Sequence, residues 1–497
     1  MNTGSTNNAG GSTTLAEELR AKPWIDGEFL EKAPLRESHD PADDTLLGLY
    51  HDAGTEEARV AIAVARRTFD ETSWSRDRML RAQVLDEMAA WFVAHREPLI
   101  AILSRENGKL LREAAMEVDH SVTKIRYAAA LARIDFGRAA DVEPGFYSTM
   151  IREPIGVAGI IVPWNSPVIL LVRSLAPALA AGCTVVIKAA AQTALTTGLL
   201  FRGLSTLPSL PRGVVNGFIE SESGGAQWLV RAPEVDVISY TGSTRVGRQI
   251  MASGAETLKR LNLELGGKSP ALLLEDADLE SAIPTIVTAG TLFAGQFCMA
   301  SSRVLVHRSR YDEVRERLAA ALAGRVVGPS RDPSSQMGPL IDRPNVARVD
   351  AIVRKAETYA EVIVRGGPAL GHLAKGAFYR PSLVAISDVH APIVQEEVFG
   401  PVLTLESFES EDEAVHRANA TTYGLSASVF TRDIDRAARI SRRLRAGTVW
   451  FNTHGVILDQ FEEGGVKQSG LGRLNGFGGI EAFQECKHVL HRANFPI

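Results

Sequence analysis

One stretch of the chain, from Val157 to Lys188, constrains the fold more than any other. The apolar run VAGIIV predicts a buried strand, and the turn PWNSP follows it. Ser166 is a predicted helix cap with Pro167 at the first helical position, where a missing N–H is tolerated. The predicted helix VILLVRSLAPALAA stops at Gly182, and TVVIK is the next strand. Because a helix that joins two strands lets them run parallel, this unit predicts an α/β fold.

The same alternation continues along the chain. GVVNGFI (213–219) and VDVISY (235–240) extend the pattern, which predicts a doubly wound parallel sheet. A second α/β set begins near SPALLL (269–274) and includes SRVLVHRS (302–309) and GLSASVFTRD (424–433). Long amphipathic helices are predicted before the first of these strands. The last residues, ECKHVLHRANFPI, could form a strand that pairs outside its own domain.

Composition excludes several classes of function. The chain has 497 residues, 45% of them hydrophobic, and a net charge of −5, which gives no reason to expect nucleic acid or an anionic membrane as partner. No apolar run reaches the roughly 20 residues of a bilayer span, and the N-terminal MNTGSTNNAGGSTT does not resemble a secretory signal. Cys183, Cys298 and Cys486 are odd in number and far apart, so we expect reduced thiols and a cytoplasmic protein.

Cys298 lies in a turn of small residues, FAGQFCMASSR, and a lone cysteine is more often a buried hydrophobe than a nucleophile. A thiol nucleophile needs a nearby base, and the carbonyl that it attacks needs hydrogen-bond donors. Suitable groups occur in three other motifs: Glu264 in LELGGKSP, Asn165 in VPWNSP, and Glu397 in QEEVFGPVL. ELGGKS is not a P-loop, because Asn262 stands where the first glycine is required, and no H-E-x-x-H occurs, so no metal is expected.

These motifs occur together with TGSTRVG (241–247), YGLSASVF (423–430), GTVWFN (447–452) and GGVKQSGLGR (464–473). Their order and spacing resemble the aldehyde dehydrogenase superfamily across about residues 20–495. The resemblance implies a Rossmann-like cofactor domain, an α/β catalytic domain, and a small β extension that forms homodimers or homotetramers. The implied boundaries are a disordered tail at 1–16, a cofactor domain at 17–141 and 159–268, a catalytic domain at 269–477, and the oligomerisation extension at 142–158 and 478–497.

The resemblance also implies a reaction. Cys298 would attack an aldehyde, and the amide of Asn165 and the backbone N–H of Cys298 would hold the oxyanion. Hydride transfer to NAD or NADP leaves a thioester, and Glu264 would activate water as general base to release the free acid. An acyl-transferring or thioesterase variant would need no hydride acceptor, and the intact Ser243 and Glu397 argue against it. The alternative of a retired binding or structural protein predicts loss of Cys298, Glu264 or Asn165, and all three are intact.

For the cofactor, the resemblance implies a binding set made of Trp164, Lys188, Ala191, Gly242, Ser243, Gly247, Leu265, Glu397 and Phe399. Ser243 would lie at the pyrophosphate, at a helix N-terminus. Ala191 replaces a glutamate that commonly binds the adenosine ribose, which removes charge that would repel a 2′-phosphate. This favours acceptance of NADP beside NAD, although Glu220 could place a carboxylate in the same region.

Other departures from the family pattern concern proton transfer and the substrate. Many members carry a lysine and a glutamate where this chain has Ser174 and Leu474, and the pair can serve as a proton path. Glu462 and Glu463 replace residues that are usually apolar, and Arg173 either neutralises one of them or holds a carboxylate of the substrate. The remaining predicted lining suits an apolar or aromatic aldehyde and consists of Leu170, Phe297, Met299, Ile457 and Phe461.

Overall fold

The computed structural model describes residues 20–134 and 137–493, so the predicted tail at 1–16 lies outside the described residues. The helices are α1 (Thr55–Glu71), α2 (Arg78–Ala94), α3 (Arg96–Asn107), α4 (Leu111–Arg133), α5 (Pro167–Ala181), α6 (Ala194–Ser205), α7 (Gly224–Arg231), α8 (Thr244–Gly254), α9 (Leu279–Thr291), α10 (Tyr311–Ala323), α11 (Arg343–Ala356), α12 (Pro392–Gln395), α13 (Glu411–Asn419), α14 (Ile434–Ser441) and α15 (Gly476–Glu481). Of these described helices, none is long and apolar enough to cross a bilayer.

The strands that lie before the second large sheet are β1 (Arg20–Ala21), β2 (Trp24–Ile25), β3 (Glu28–Phe29), β4 (Leu35–His39), β5 (Leu46–His51), β6 (Arg138–Glu143), β7 (Phe146–Pro154), β8 (Val157–Ile161), β9 (Thr184–Ala190), β10 (Val215–Glu220), β11 (Val237–Thr241) and β12 (Arg260–Glu264). The later strands are β13 (Ser269–Leu273), β14 (Ser301–His307), β15 (Glu361–Val364), β16 (Gly367–Pro368), β17 (Tyr379–Arg380), β18 (Ser382–Ala385), β19 (Val402–Phe408), β20 (Ser426–Phe430), β21 (Thr448–Phe451), β22 (Gly470–Leu471) and β23 (Gln484–Arg492).

The first large sheet has eight strands in the order β22-β12-β11-β8-β9-β10-β2-β3, and its five central strands are parallel. From β8 the chain builds the sheet outward through β9 and β10, and it then returns to β11 on the other side of β8. The strand order therefore reverses between β8 and β11. Ligands of open α/β sheets bind at such a reversal, beyond the carboxyl ends of the strands.

The second large sheet has seven strands in the order β15-β18-β19-β14-β13-β20-β21, and only its edge strand β15 pairs antiparallel. Its order reverses between β13 and β20. The two sheets, with helices on their faces, confirm the predicted α/β fold class. Each sheet is packed in apolar clusters of its own, as a parallel sheet covered by helices requires.

The predicted strand, helix and strand between Val157 and Lys188 form as β8, α5 and β9. Pro167 is the first residue of α5, and Gly182 ends the helix in the left-handed conformation at φ 103°. Ser166 occupies the N-cap position, but its side chain makes no cap bond. The carboxylate of Glu117 replaces it, since Glu117 Oε1 accepts the backbone N–H of Val168 at 2.8 Å.

A third sheet lies apart from the two large ones, with the order β23-β7-β6. The C-terminal β23 pairs antiparallel with β7, from Gln484 opposite Pro154 to Arg492 opposite Phe146. The last residues therefore do form a strand, and they pair with 146–154, in the other segment of the same predicted extension; pairing outside that extension stays a prediction. Two predicted limits need correction, because β6 already starts at Arg138, and because β22 hydrogen-bonds to β12 of the first sheet although it lies within 269–477.

Candidate active site

Cys298 follows a sharp backbone turn between α9 and β14. Phe293, Ala294 and Gly295 all have left-handed backbone angles, with φ values of 51°, 55° and 73°. A Cβ atom on Gly295 would lie 2.3 Å from the carbonyl carbon of Gly400, so only glycine allows this approach. The turn is thereby held against the segment that follows Glu397 and Phe399, and it presents Cys298 before β14 begins.

The thiol of Cys298 lies partly buried among apolar side chains, in a cluster with Phe297, Met299, Trp450 and Ile457. Burial raises the pKa of this thiol to about 12, and the nearby Arg173 opposes the rise. The nucleophile is therefore a protonated thiol at neutral pH in the absence of ligands. Reaction requires that its proton be removed when the aldehyde binds.

Asn165 connects the turn after β8 to the turn that carries the thiol. Its Nδ2 donates to the backbone oxygen of Gln296 at 3.1 Å, two residues before Cys298. Gln296 is itself fixed, because its side-chain oxygen accepts the N–H of Ile341 at 2.9 Å. An amide nitrogen carries two hydrogens, so Asn165 keeps a second donor for an oxyanion beside the thiol.

Three charged residues that the sequence analysis missed hold both turns in place. Lys109 forms a buried ion pair with Glu117 and donates to the backbone oxygen of Asn165 at 2.9 Å. Its Nζ also lies 3.9 Å from the ring centre of Phe293, whose N–H donates to Glu113 at 3.2 Å. Glu113 and Glu117 lie one turn apart on α4, and that spacing is the signal from which they could have been predicted, whereas Lys109 lies in the loop before the helix.

Glu264 ends β12 with its carboxylate buried. Burial raises the pKa of this group to about 8, which is suitable for a general base near neutral pH. The glycine pair that follows brings this segment to the nucleophile, since a Cβ on Gly267 would lie 2.3 Å from the backbone oxygen of Cys298. On its other side the carboxylate lies against Gly464, where a Cβ would come within 2.8 Å of Glu264 Oε1.

The structure places Arg173 in an ion pair with Glu463, where Nη1 donates to Oε1 at 2.7 Å and both side chains are buried. Of the two interpretations of Arg173, neutralisation of a neighbouring glutamate is the one observed. The side chain of Glu462 binds α15 instead: its Oε1 accepts the N–H of Gly478, in the first turn of that helix, at 2.9 Å. Glu462 therefore does not contribute charge to the site.

Ser174 and Leu474, which occupy the positions of the proton-path residues, leave no unpaired charge behind. Ser174 Oγ lies 2.9 Å from Ser239 Oγ, and the two hydroxyls satisfy each other. Leu474 is fully buried in the core of the first sheet. The backbone N–H and C=O of Leu474 both hydrogen-bond to the backbone of Glu463, at 3.0 and 2.9 Å. Leu474 therefore holds the backbone of Glu463 in place.

The predicted pyrophosphate residues come together at the reversal of the first sheet. Ser243 caps α8 and accepts a backbone N–H of the first turn at 3.4 Å. A Cβ on Gly242 would lie 2.2 Å from Tyr240 Oη, and one on Gly247 would lie 2.5 Å from a methyl of Leu265. The glycines thus let the helix start close to β12, and its first turn presents N–H donors that suit an anion.

Glu397 and Phe399 lie in the loop before β19 of the second sheet. Glu397 Oε1 accepts the N–H of Gly267 at 3.1 Å, and burial raises the pKa of Glu397 to about 7. Phe399 has a φ of 50°, and its ring meets Trp164 edge-on at 5.5 Å between centroids. Arg348 holds this loop by donating to the backbone oxygen of Val398 at 2.7 Å, a contact that no sequence motif indicated.

Lys188 and Ala191 lie at and just beyond the carboxyl end of β9. Lys188 is paired in register with Phe218, and Glu220 is paired with Ala190, so the lysine and the glutamate share one face of the sheet. Glu220 is buried and accepts backbone N–H groups at the start of α7, at 2.5 and 3.1 Å. The carboxylate missing at Ala191 is thus matched by one on the neighbouring strand.

The predicted substrate residues are brought together only in part. Phe297, Met299 and Ile457 join Cys298 in one cluster, although Met299 is almost fully buried. Leu170 packs instead against the core of the first sheet, and Phe461 is 67% exposed. Sequence reasoning missed Trp450 and His454, whose rings lie 4.7 Å apart beside the thiol cluster, and the Nε2 of His454 lies 2.6 Å from the backbone oxygen of Met299.

A model described as the aldehyde dehydrogenase family matches residues 29–489. The chain belongs to this family. Betaine aldehyde dehydrogenase of Bacillus subtilis (strain 168) is 37% identical over 472 residues, which cover 94% of this chain and 96% of that protein. Aldehyde dehydrogenase 1 of Tanacetum cinerariifolium is 36% identical over 490 residues, and these cover 97% of each chain.

Solved structures agree with this assignment. A crystal structure of betaine aldehyde dehydrogenase from Staphylococcus aureus in complex with NAD+ matches with a TM-score of 0.94 and 34% identity, covering 97% of each chain. As an aldehyde dehydrogenase, the protein is an enzyme that oxidises small-molecule aldehydes with NAD or NADP. The family, the fold and the reaction class predicted from the motifs are therefore confirmed. The alternative of a retired binding protein is not favoured.

Proposed function

We propose that this aldehyde dehydrogenase converts its aldehyde into the free carboxylic acid through a thioester on Cys298. The observation that carries the proposal is the convergence of three motifs: Asn165 is hydrogen-bonded to the turn that carries Cys298, and Gly267, three residues after Glu264, lies against the backbone oxygen of Cys298. A thiol, an amide donor and a buried carboxylate at one site are the groups that acyl formation and hydrolysis require.

The cofactor would be held at the reversal of the first sheet. The close approach at Gly242 and the N-terminus of α8 suit a pyrophosphate, and Glu397 and Phe399 lie where the nicotinamide end would reach Cys298. When bound, the nicotinamide supplies a hydride acceptor. Trp164, Lys188 and Ala191 would serve the adenosine side. Because the glutamate common at position 191 is replaced by alanine, we propose that NADP is accepted beside NAD, and that the carboxylate of Glu220 on the neighbouring strand limits its use.

The chain's own residues account for the two halves of the reaction. The thiolate of Cys298 adds to the aldehyde carbon, while Asn165 Nδ2 and the backbone N–H of Cys298 stabilise the oxygen that becomes negative. The resulting thiohemiacetal would give up a hydride to the nicotinamide acceptor, which leaves the thioester on Cys298. Glu264 then takes a proton from water, whose oxygen adds to the thioester carbon, and the acid leaves as the Cys298 thiolate is restored.

The substrate proposed is a neutral apolar or aromatic aldehyde. The side chains around the thiol are Phe297, Met299, Trp450 and Ile457. The cation Arg173 is occupied by Glu463 and is not free to bind a carboxylate of the substrate. Apolar surface is therefore what the lining offers for recognition.

We further propose that the sheet β23-β7-β6 joins copies of the chain and that the enzyme works in the cytoplasm. In support, β23 is a nine-residue edge strand whose side chains are almost all exposed. Long exposed edges are sites of association. All three cysteines are free, which fits a reducing compartment.

Substitution of the proposed nucleophile tests the function. Cys298→Ala should abolish the reduction of NAD and NADP by aliphatic and aromatic aldehydes, because no other thiol lies in the site. Cys486→Ala is the matched control, since Cys486 lies on β23 outside the thiol cluster, and at an unchanged mass in solution its activity should equal that of the wild type. Dehydrogenase activity that survives in Cys298→Ala would show that another residue attacks the aldehyde.

A further inference from the structure

Arg173 is a buried cation that is held at two points beside the proposed base. Its Nη1 donates to Glu463 at 2.7 Å, and its Nη2 donates to Thr241 Oγ1 at 3.0 Å. Thr241 is paired in register with Glu264 on the neighbouring strand. Gly464, which follows Glu463 in the chain, lies against the Glu264 carboxylate. The guanidinium is therefore fixed next to the base from both sides.

The same guanidinium acts on the nucleophile. The positive charge of Arg173 lowers the pKa of the Cys298 thiol, whereas the carboxylates of Glu264, Glu397 and Glu463 raise it. Each carboxylate opposes ionisation of the thiol, and burial opposes it more strongly. Arg173 is the charge that favours the thiolate.

Around Glu264 the balance is similar. Arg173 and Arg473 favour its carboxylate form, whereas burial and Glu463 favour the protonated form. Arg473 is directed to backbone oxygens, with Nη1 donating to that of Gly465 at 3.1 Å. Among the described residues, Arg173 is thus the cation that the nucleophile and the base share.

The ion pair is not explained by stability alone. Replacement of a buried ion pair by apolar residues is often neutral or stabilising. This pair is also incompletely bonded, because Arg173 Nε and Glu463 Oε2 are buried and have no hydrogen-bond partner among the described residues. Buried polar atoms without partners are rare and concentrate where they serve a function.

We propose that Arg173 is a positioning residue whose charge favours both the thiolate of Cys298 and the carboxylate of Glu264, and that Glu463 anchors this charge and limits its strength. The proposal rests on the function proposed above. It predicts that removing the charge of Arg173 makes Cys298 less reactive, whereas removing the charge of Glu463 makes it more reactive. If the ion pair only held the structure together, the two substitutions would change the reactivity of Cys298 in the same direction.

The first test measures thiol reactivity and needs no substrate. Cys298 is alkylated with iodoacetamide at a series of pH values and followed by peptide mass spectrometry, with Cys486 on β23, which none of the substitutions changes, as internal control. Arg173→Met should slow alkylation of Cys298 by about tenfold at a given pH, the effect of one pKa unit. Glu463→Gln should accelerate it, and Arg173→Lys, which keeps the charge, should restore much of the rate. Cys486 should react alike in every variant.

Arg173→Met leaves Glu463 buried without its partner, and this variant could fail to fold. The double variant Arg173→Met/Glu463→Gln removes both charges and keeps the test available. The double variant should react more slowly than Glu463→Gln, because the two differ only in the charge of Arg173. Equal alkylation rates of Cys298 in Glu463→Gln and the double variant would contradict the proposal.

The second test follows the base. The rise of steady-state turnover with pH should move to higher pH in the double variant and to lower pH in Glu463→Gln. Similar losses of turnover in both, with the pH midpoint and the alkylation rate unchanged, would reduce Arg173 to a structural role. Failure of the proposed function looks different, because Cys298→Ala would then retain activity while the alkylation results stood.

Discussion

At the scale of single residues, the chemistry depends on groups that burial keeps in their neutral form. Cys298 and Glu264 both have raised pKa values, of about 12 and about 8. The site must therefore supply the thiolate and the carboxylate from local charges when they are needed. The sequence identified both residues through their motifs, but their protonation depends on Arg173 and Glu463, which no motif joins.

Glu264 should control the second half of the reaction and leave the first half intact. In Glu264→Gln, the acyl adduct on Cys298 should accumulate, while steady turnover falls by about 100-fold or more, as expected when a general base is lost. Mass spectrometry of the intact protein after mixing with cofactor and aldehyde detects the adduct. A variant that forms no adduct would place Glu264 before the thioester, as the base that deprotonates Cys298.

The same carboxyl predicts the direction of a pH effect. Hydrolysis needs the deprotonated form of Glu264, and burial raises its pKa to about 8. Hydrolysis of the preformed adduct should therefore slow as the pH falls below about 8, and it should level off above that value. A rate that is flat through this range would show that binding of ligands lowers the pKa of Glu264 or that another group acts as base.

Ala191 and Glu220 should act in opposite directions on the choice of cofactor. Ala191→Glu adds a carboxylate beside the ribose site and should lower kcat/KM for NADP relative to NAD by about tenfold. Glu220→Gln removes the neighbouring carboxylate and should raise the same ratio, because less negative charge then faces a 2′-phosphate. Steady-state kinetics with both cofactors checks this. An unchanged ratio in Ala191→Glu would place the 2′-position of the ribose elsewhere.

At the scale of elements, the edge strand β23 carries the expected association. Leu490 on this strand is 56% exposed, and Leu490→Glu should lower the mass measured by light scattering, since a charge opposes burial in an interface. Leu370 is 73% exposed and lies between β16 and β17. Its variant Leu370→Glu is the control and should keep the wild-type mass. If Leu490→Glu keeps the wild-type mass, copies of the chain associate through another face.

Helices and strands with a clear local sequence pattern could be predicted. Strands that form only because they pair with a segment far away in the sequence could not. The unit from β8 to β9 follows from apolar runs, Pro167 and Gly182. The two-residue strand β22 has no periodicity and exists because it pairs with β12. Lys109 was missed for a related reason, because its function depends on contacts with turns that lie far along the chain.

At the scale of the whole molecule, the site forms between the carboxyl ends of the first sheet's strands and the amino end of a strand of the second sheet. The first sheet contributes Asn165, Ser243 and Glu264 from the ends of β8, β11 and β12, and the second contributes Cys298 just before β14. The sequence predicted this set because each residue lies in a motif. It could not predict which wall residues converge, since Leu170 packs into the core and Phe461 faces solvent.

The late position of β22 has a consequence for synthesis of the protein. The strand that carries Glu264 receives its edge partner from Leu471, close to the C-terminus, and β7 receives its partner later still. A ribosome must therefore synthesise the chain past Leu471 before the first sheet is complete, and past Arg492 before β7 is fully paired. Nascent chains will expose these unpaired edges for most of translation, so we expect chaperones to bind them, and messages truncated before codon 470 to give aggregates without activity.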